Sequence, residues 1–230
     1  MSEFFDGLKN PWVIVGLLAL FMIGGSVWYS SYVTTKADEE VTANISHIKG
    51  NPEAKVVLVE YSDFQCPACA TFQTALNDIF DEFGNSIKME FKHFPLPIHS
   101  LAFNAARAAE AAGQQGKFFE FHDALFTNQA TWSKSVNPML NFMQYAKEIG
   151  LDTDQFKRQY GSSLLKNRVQ EDQLKGRELG LTGTPTFFLN GEQMKFKSLE
   201  EFYSQIAYAV ALSSTSTPAV EESPVVEFGI

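Results

Sequence analysis

The only two cysteines of this 230-residue chain share one tetrapeptide, Cys66-Pro67-Ala68-Cys69, set between the apolar run Val56-Val57-Leu58-Val59 and a stretch of helical periodicity. A chain so built must leave a buried strand and enter a helix within a few residues, and its thiols must sit at that corner. A disulfide used as a staple stabilises most when it closes a long loop, whereas this pair closes a very short one. The pair therefore reads as chemistry. A structural disulfide and half of a metal site are the competing readings. A closed zinc site needs four ligands, and the four histidines His47, His93, His99 and His122 are scattered without ligand spacing. No metal and no cofactor beyond the dithiol itself is expected.

Periodicity on either side of the cysteines gives the local plan. Residues 55–61 read as a strand with both faces buried, because their core is unbroken β-branched residues and Leu. Cys69, Phe72, Leu76, Ile79, Phe80 and Phe83 then recur at helical spacing, Gly84-Asn85 stops the helix, and a second strand follows over 87–94. This is a βαβ unit. From about 100 to 180 the pattern is helical throughout. It holds an Ala-rich helix ending near Gly113, an aromatic one over 117–126, one opened by Asn137-Pro138, and a pair after Asp152, which makes a capping box with Gln155. Strand character returns at 186–189, turns at Asn190-Gly191 and resumes around Met194 to Phe196. Ser198 with Glu201 caps a last helix with Leu199, Phe202 and Ile206 on its apolar face. The fold class is α/β, a βαβ unit and a ββα unit separated by a helical insert.

Residues 12–29 carry no charge and, at about 1.5 Å per residue, just span a hydrocarbon core of roughly 30 Å, with Trp12 and Trp28-Tyr29 at the two interfaces. A cleaved signal peptide is the alternative, but the start is acidic (Glu3, Asp6) and bulky residues follow the apolar run. The expected organisation is a membrane anchor over 1–33, a polar stalk over 34–53, one domain over 54–212 with its helical insert at about 100–180, and a disordered tail over 213–230. Lys9 and Lys36 do not decide the orientation. A dithiol in a chain with no other thiol fits an oxidising compartment, which places the domain outside the cytoplasmic membrane. A net charge of −9 leaves no basic footprint for nucleic acid.

The candidate site follows from these placements. Cys66 falls at the first turn of its helix with Pro67 where a missing N–H costs nothing, so unpaired backbone N–H groups stabilise a thiolate there. Cys66 is the expected nucleophile, and Cys69, three residues on and core-facing, the thiol that resolves a mixed disulfide. Glu60, at the end of the first strand, is either a buried carboxyl that exchanges protons with Cys69 or a solvent-facing residue at a strand end. Pro185, in Gly183-Thr184-Pro185-Thr186, is trans on base rates.

Taken together, Glu60-Tyr61-Ser62-Asp63-Phe64-Gln65-Cys66-Pro67-Ala68-Cys69, Lys92-His93-Phe94-Pro95-Leu96, the segment 118–126 and Gly183-Thr184-Pro185-Thr186-Phe187 resemble the membrane-anchored DsbA-like thiol-disulfide oxidoreductases, a branch of the thioredoxin fold. The resemblance covers about residues 50–212. It implies a cis Pro185 facing the cysteines, substrate lying against Pro67, Ala68, Thr184 and Pro185 as an added strand, and Glu60 as the proton relay. It also implies oxidation of cysteine pairs in extracytoplasmic proteins, with reoxidation by a quinone-linked membrane partner of the DsbB or vitamin K epoxide reductase type. One departure stands out: the strongest oxidants of the family carry His between the cysteines, where this chain has Ala68. A reductase or isomerase on the same fold is the first alternative, and a tethered chaperone or copper-binding module the second.

Overall fold

The computed structural model describes residues 11–42 and 45–215. Fourteen elements are present among them: α1 (Pro11–Glu39), β1 (Ile48–Gly50), β2 (Val56–Ser62), α2 (Pro67–Phe83), β3 (Ile87–His93), α3 (Ala102–Gly113), α4 (Phe118–Thr127), α5 (Gln129–Trp132), α6 (Pro138–Glu148), α7 (Thr153–Tyr160), α8 (Ser163–Glu178), β4 (Thr186–Leu189), β5 (Glu192–Gln193) and α9 (Leu199–Thr215). The strands form one sheet in the order β1-β3-β2-β4-β5, with β2 parallel to β3 and antiparallel to β4.

β2 is the centre of that sheet, and its alternation decides what lies on each side. Val56, Leu58 and Glu60 share one face. Val56 and Leu58 pack there with Leu76 and Ile79 of α2 and with Phe202, Ile206 and Val210 of α9. On the other face Tyr61 meets Phe94 and Leu181. Gly176 of α8 permits the close approach on this side, since a Cβ there would stand 2.5 Å from the Phe94 ring. The insert, α3 to α8, builds a second core around Phe121, Trp132, Phe142 and Phe156, all at 0% exposure.

Three expectations are corrected. The second strand of the final hairpin is Glu192–Gln193 rather than Met194 to Phe196: after Met194 N donates to Phe187 O the chain leaves the sheet edge for α9. Leu199 is 40% exposed and lies off the buried face of α9. The span over 34–53 is no free stalk. Helix α1 runs on to Glu39, Asp38 and Glu40 dock on the insert, and Ile48–Gly50 pair with β3 as an edge strand. Of the expected tail, residues 213–215 close α9, and the remainder lies outside the described residues.

The docking of α1 is electrostatic and specific. Asp38 reinforces the Ser162 cap of α8, accepting from Ser162 Oγ at 2.6 Å, Ser163 N at 2.8 Å and Ser163 Oγ at 2.5 Å. Burial works against the Asp38 charge, but these bonds outweigh it and hold its pKa below the ordinary value. Glu40 adds a forked pair to Arg158 Nε at 3.0 and 3.1 Å. Beyond this joint α1 is long and apolar enough to cross a membrane, and Trp12, Phe21 and Trp28 on it are 80%, 79% and 69% exposed. Replacing Asp38 by Ala removes the acceptor shared by Ser162 and Ser163 at the head of α8 and is expected to destabilise the full chain by about 1–2 kcal/mol, read as the midpoint of a denaturant melt in detergent. An unchanged midpoint would mean that α1 is not seated on α8.

Candidate active site

The site is made where β2 gives way to α2. Asp63 turns the chain: its backbone carbonyl accepts from Cys66 N at 3.0 Å, and its side chain accepts from Gln65 N at 2.7 Å, Leu96 N at 2.8 Å and His99 Nδ1 at 2.7 Å. Cys66 is the N-cap residue of α2, with extended backbone (φ −76°, ψ 121°), and Pro67 opens the helix. Pro67 and Ala68 are exposed, Cys66 is 6% and Cys69 1% exposed, and both thiols are free.

The two sulfurs are driven apart in acidity. For Cys66 the largest influence is the Cys69 thiol, which donates to a thiolate. Burial pulls the other way, and Thr184 with the backbone N–H groups of Cys69 and Ala68 adds to the lowering, bringing the pKa to about 5 from an ordinary 9.0. Cys69 is pushed upward, first by burial, then by its bond to Cys66 and by Glu60. The arrangement supplies one stable thiolate and one thiol that holds its proton.

Glu60 is not at the solvent: it is 1% exposed, on the α2-facing side of β2. Burial raises its pKa from 4.5 to about 7, against smaller opposing effects of the Ser62 hydroxyl and Lys49. Its Oε2 and the Ser62 Oγ, two residues on along the same face, are buried without a well-formed hydrogen bond among the described residues. Cys69, Ser62 and Glu60 thus share one buried face of the α2–β2 interface, where a proton has few other acceptors.

Opposite the cysteines, Thr184–Pro185 is a cis peptide bond, as the resemblance implied and base rates did not. The Thr184 carbonyl lies 3.4 Å from Cys66 Sγ. The structure therefore brings Cys66, Cys69, Glu60, Thr184 and Pro185 to one place from two segments more than a hundred residues apart in sequence.

Two groups escaped the sequence. Gln129, first residue of the four-residue helix α5, donates from Nε2 to Phe64 O at 2.8 Å and Cys66 O at 2.9 Å. His47 and His93, read as unrelated, converge on Glu110: His93 Nε2 is hydrogen-bonded to Glu110 Oε1 at 2.9 Å, and His47 Nε2 lies 3.0 Å from the same oxygen. Burial opposes the Glu110 charge, but the two imidazoles more than offset it and hold its pKa at about 2. The two ring centres stand 6.5 Å apart. One ligand atom from each of His47, His93 and Glu110 lies within 4.8 Å of the others, all three residues being buried. Nothing in the spacing of 47, 93 and 110 announces that meeting, which depends on β1 pairing with β3 and α3 packing behind them.

A central β2 flanked by parallel β3 and antiparallel β4, a dithiol at the head of α2, a cis-proline loop facing it and a helical insert define a thioredoxin fold of the DsbA-like kind. A family model described as thioredoxin matches residues 42–207, and the chain belongs to that family. It is similar to a thioredoxin-like oxidoreductase from Silicibacter pomeroyi, with 26% identity, a TM-score of 0.61 and coverage of 79% of this chain and 98% of that one. Wolbachia pipientis α-DsbA1 gives 21% identity and a TM-score of 0.65, over 78% of this chain and 98% of the other. Oxidised BdbD from Bacillus subtilis gives 23% and 0.63, over 72% and 93%. These last two, below a quarter identical, speak for the fold. Among curated sequences, the Na(+)/H(+) antiporter NhaA 1 of Mycobacterium sp. strain KMS is 41% identical over 155 residues, 65% of this chain and 24% of that protein. The corresponding protein of Mycolicibacterium vanbaalenii is 38% identical over 206 residues, 83% and 32%. The chain spans between a quarter and a third of the length of these relatives.

The raised Glu60 pKa carries a stability signature. The contribution of a group with a raised folded-state pKa is fully present below its unfolded value of 4.5 and is lost as pH rises through about 7. Glu60→Gln, which mimics the protonated carboxyl, is therefore expected to be more stable than the parent by about 3 kcal/mol at pH 8, with the gap closing below pH 5. Denaturant melts at the two pH values check this, and a pH-independent gap would place the carboxyl in contact with solvent.

Proposed function

We propose that this chain is a membrane-anchored, extracytoplasmic thiol oxidase that introduces disulfides into cysteine-containing proteins. The observation that carries the reading is the acidity split between Cys66, near 5, and Cys69, far above it. A thiolate held at low energy in the reduced enzyme makes the corresponding disulfide a good oxidant and Cys66 a good leaving group. The 26%-identical Silicibacter pomeroyi protein carries the name oxidoreductase, which supports the reaction class.

The cycle starts from the Cys66–Cys69 disulfide. A substrate thiolate attacks Cys66 Sγ, the S–S bond breaks, and its electron pair leaves on Cys69. Glu60, protonated about half the time at pH 7, hands Cys69 a proton. The second substrate thiolate then attacks its own partner sulfur, forming the substrate disulfide and expelling Cys66 as a thiolate. Two electrons have passed from two substrate thiols to the enzyme dithiol, and a quinone-linked membrane protein of the DsbB or vitamin K epoxide reductase type takes them up. Thr184 and Pro185 line the approach to Cys66 and would pair with the substrate backbone, while exposed Pro67 and Ala68 form the other lip.

Cys66→Ser in the full chain is expected to abolish oxidation of a reduced, unfolded model protein. Cys69→Ser should instead accumulate a mixed disulfide through Cys66, visible on a non-reducing gel. Pre-oxidised wild type that leaves the model protein reduced, yet reshuffles scrambled disulfides, would replace the oxidase by an isomerase.

A further inference from the structure

Ala68 leaves this dithiol without a positive charge between its cysteines, and the helical insert reaches the loop that carries Cys66. We propose that Gln129 is a positioning residue that sets the acidity of Cys66 and, through it, the oxidising strength of the pair. The inference rests on the thiol-disulfide reading above and names the part of the insert that acts on the thiol.

The geometry is specific. Of the loop 63–66, Asp63 ties the turn to itself and to the 96–99 segment, and the Gln65 side chain accepts from Leu101 N at 2.8 Å and donates to Ser133 O at 3.3 Å. Neither of these side chains bonds to Cys66. The Gln129 amide does: one nitrogen, at 2.8 and 2.9 Å, serves the carbonyls of Phe64 and Cys66 together. The Cys66 carbonyl otherwise receives only the long 3.3 Å bond from Ala70 N. One N–H group seated on both carbonyls ties down the backbone that leads into and out of Cys66. It also holds Cys66 in the extended N-cap conformation that keeps its sulfur over the backbone N–H groups of Ala68 and Cys69. Because α5 is braced by Trp132, fully buried with Nε1 bonded to Leu125 O at 2.8 Å, the amide is presented from a rigid base. The side chain is partly covered, so water does not take over both bonds equally well.

The test titrates the Cys66 thiolate by its ultraviolet absorbance in full chain solubilised in detergent, alongside the oxidised-to-reduced ratio in a fixed glutathione buffer. Gln129→Leu, which keeps the bulk and loses the donor, is expected to raise the thiol pKa by about half to one unit and to lower the oxidising equilibrium constant about 3–10-fold, the weight of one lost hydrogen bond. Gln129→Lys keeps a donor, adds a charge, and should hold the pKa at or below that of the wild type. If Gln129→Leu does not fold, the lysine variant still decides, because an upward shift in it contradicts the proposal. Wild-type Cys66 titrating near 8.5 would overturn the thiol oxidase reading. A depressed wild-type pKa unmoved in Gln129→Leu would overturn only the role of Gln129.

Discussion

The first turn of α2 is the constraint from which the rest of the site follows. Its backbone N–H groups have no partners within the helix, and a residue at the N-cap with extended backbone must either cap them or leave them to another acceptor. Cys66 occupies that place without a side-chain cap bond, so the unsatisfied donors are available to a thiolate. Three residues later the same helix turns Cys69 into the interface with β2, where burial raises its pKa. One helix, through its direction and its period, gives two chemically identical side chains opposite properties.

The surrounding structure keeps that helix end where it is. β2 delivers the chain to Cys66 through a seven-residue parallel pairing with β3, and its alternation brings Glu60 and Ser62 to the side that Cys69 faces. The Thr184–Pro185 loop closes the site from the second half of the sheet, with the Thr184 carbonyl beside Cys66 Sγ. The insert braces the approach through Gln65 and Gln129 and is itself tied to the sheet by the buried His47, His93 and Glu110 group. Asp38 and Glu40 continue the connection to α1, so the acidic segment after the apolar helix serves as a joint.

Much of this was legible in the chain because the signals are local. The strand, the CxxC corner and the helix to Phe83 lie within 30 residues and each has its own periodicity. The helix opened by Asp152 carries the cap its sequence showed, with Asp152 accepting from Gln155 N. What was hidden depends on contacts distant in sequence. Asp38 reads as one charge in a polar stretch until Ser163, 125 residues away, is placed against it. His47, His93 and Glu110 have no common spacing. β1 has three residues and α5 four, too few for any period to show. Glu60 could be assigned to the interior only once both neighbours of β2 were known, since a strand end is buried or open according to what flanks it.

The central claim is that the protein environment stabilises the Cys66 thiolate enough to make the disulfide an oxidant despite Ala68. Its most direct measurement is the reduction potential of the Cys66/Cys69 pair in the full chain, equilibrated against glutathione. Such pairs range from roughly −270 mV for a reductant to about −120 mV for a strong oxidant. The account predicts a value in the upper half of that range. A potential at or below the thioredoxin end would show that the acidity of Cys66 does not set the direction of electron flow, and would contradict the account.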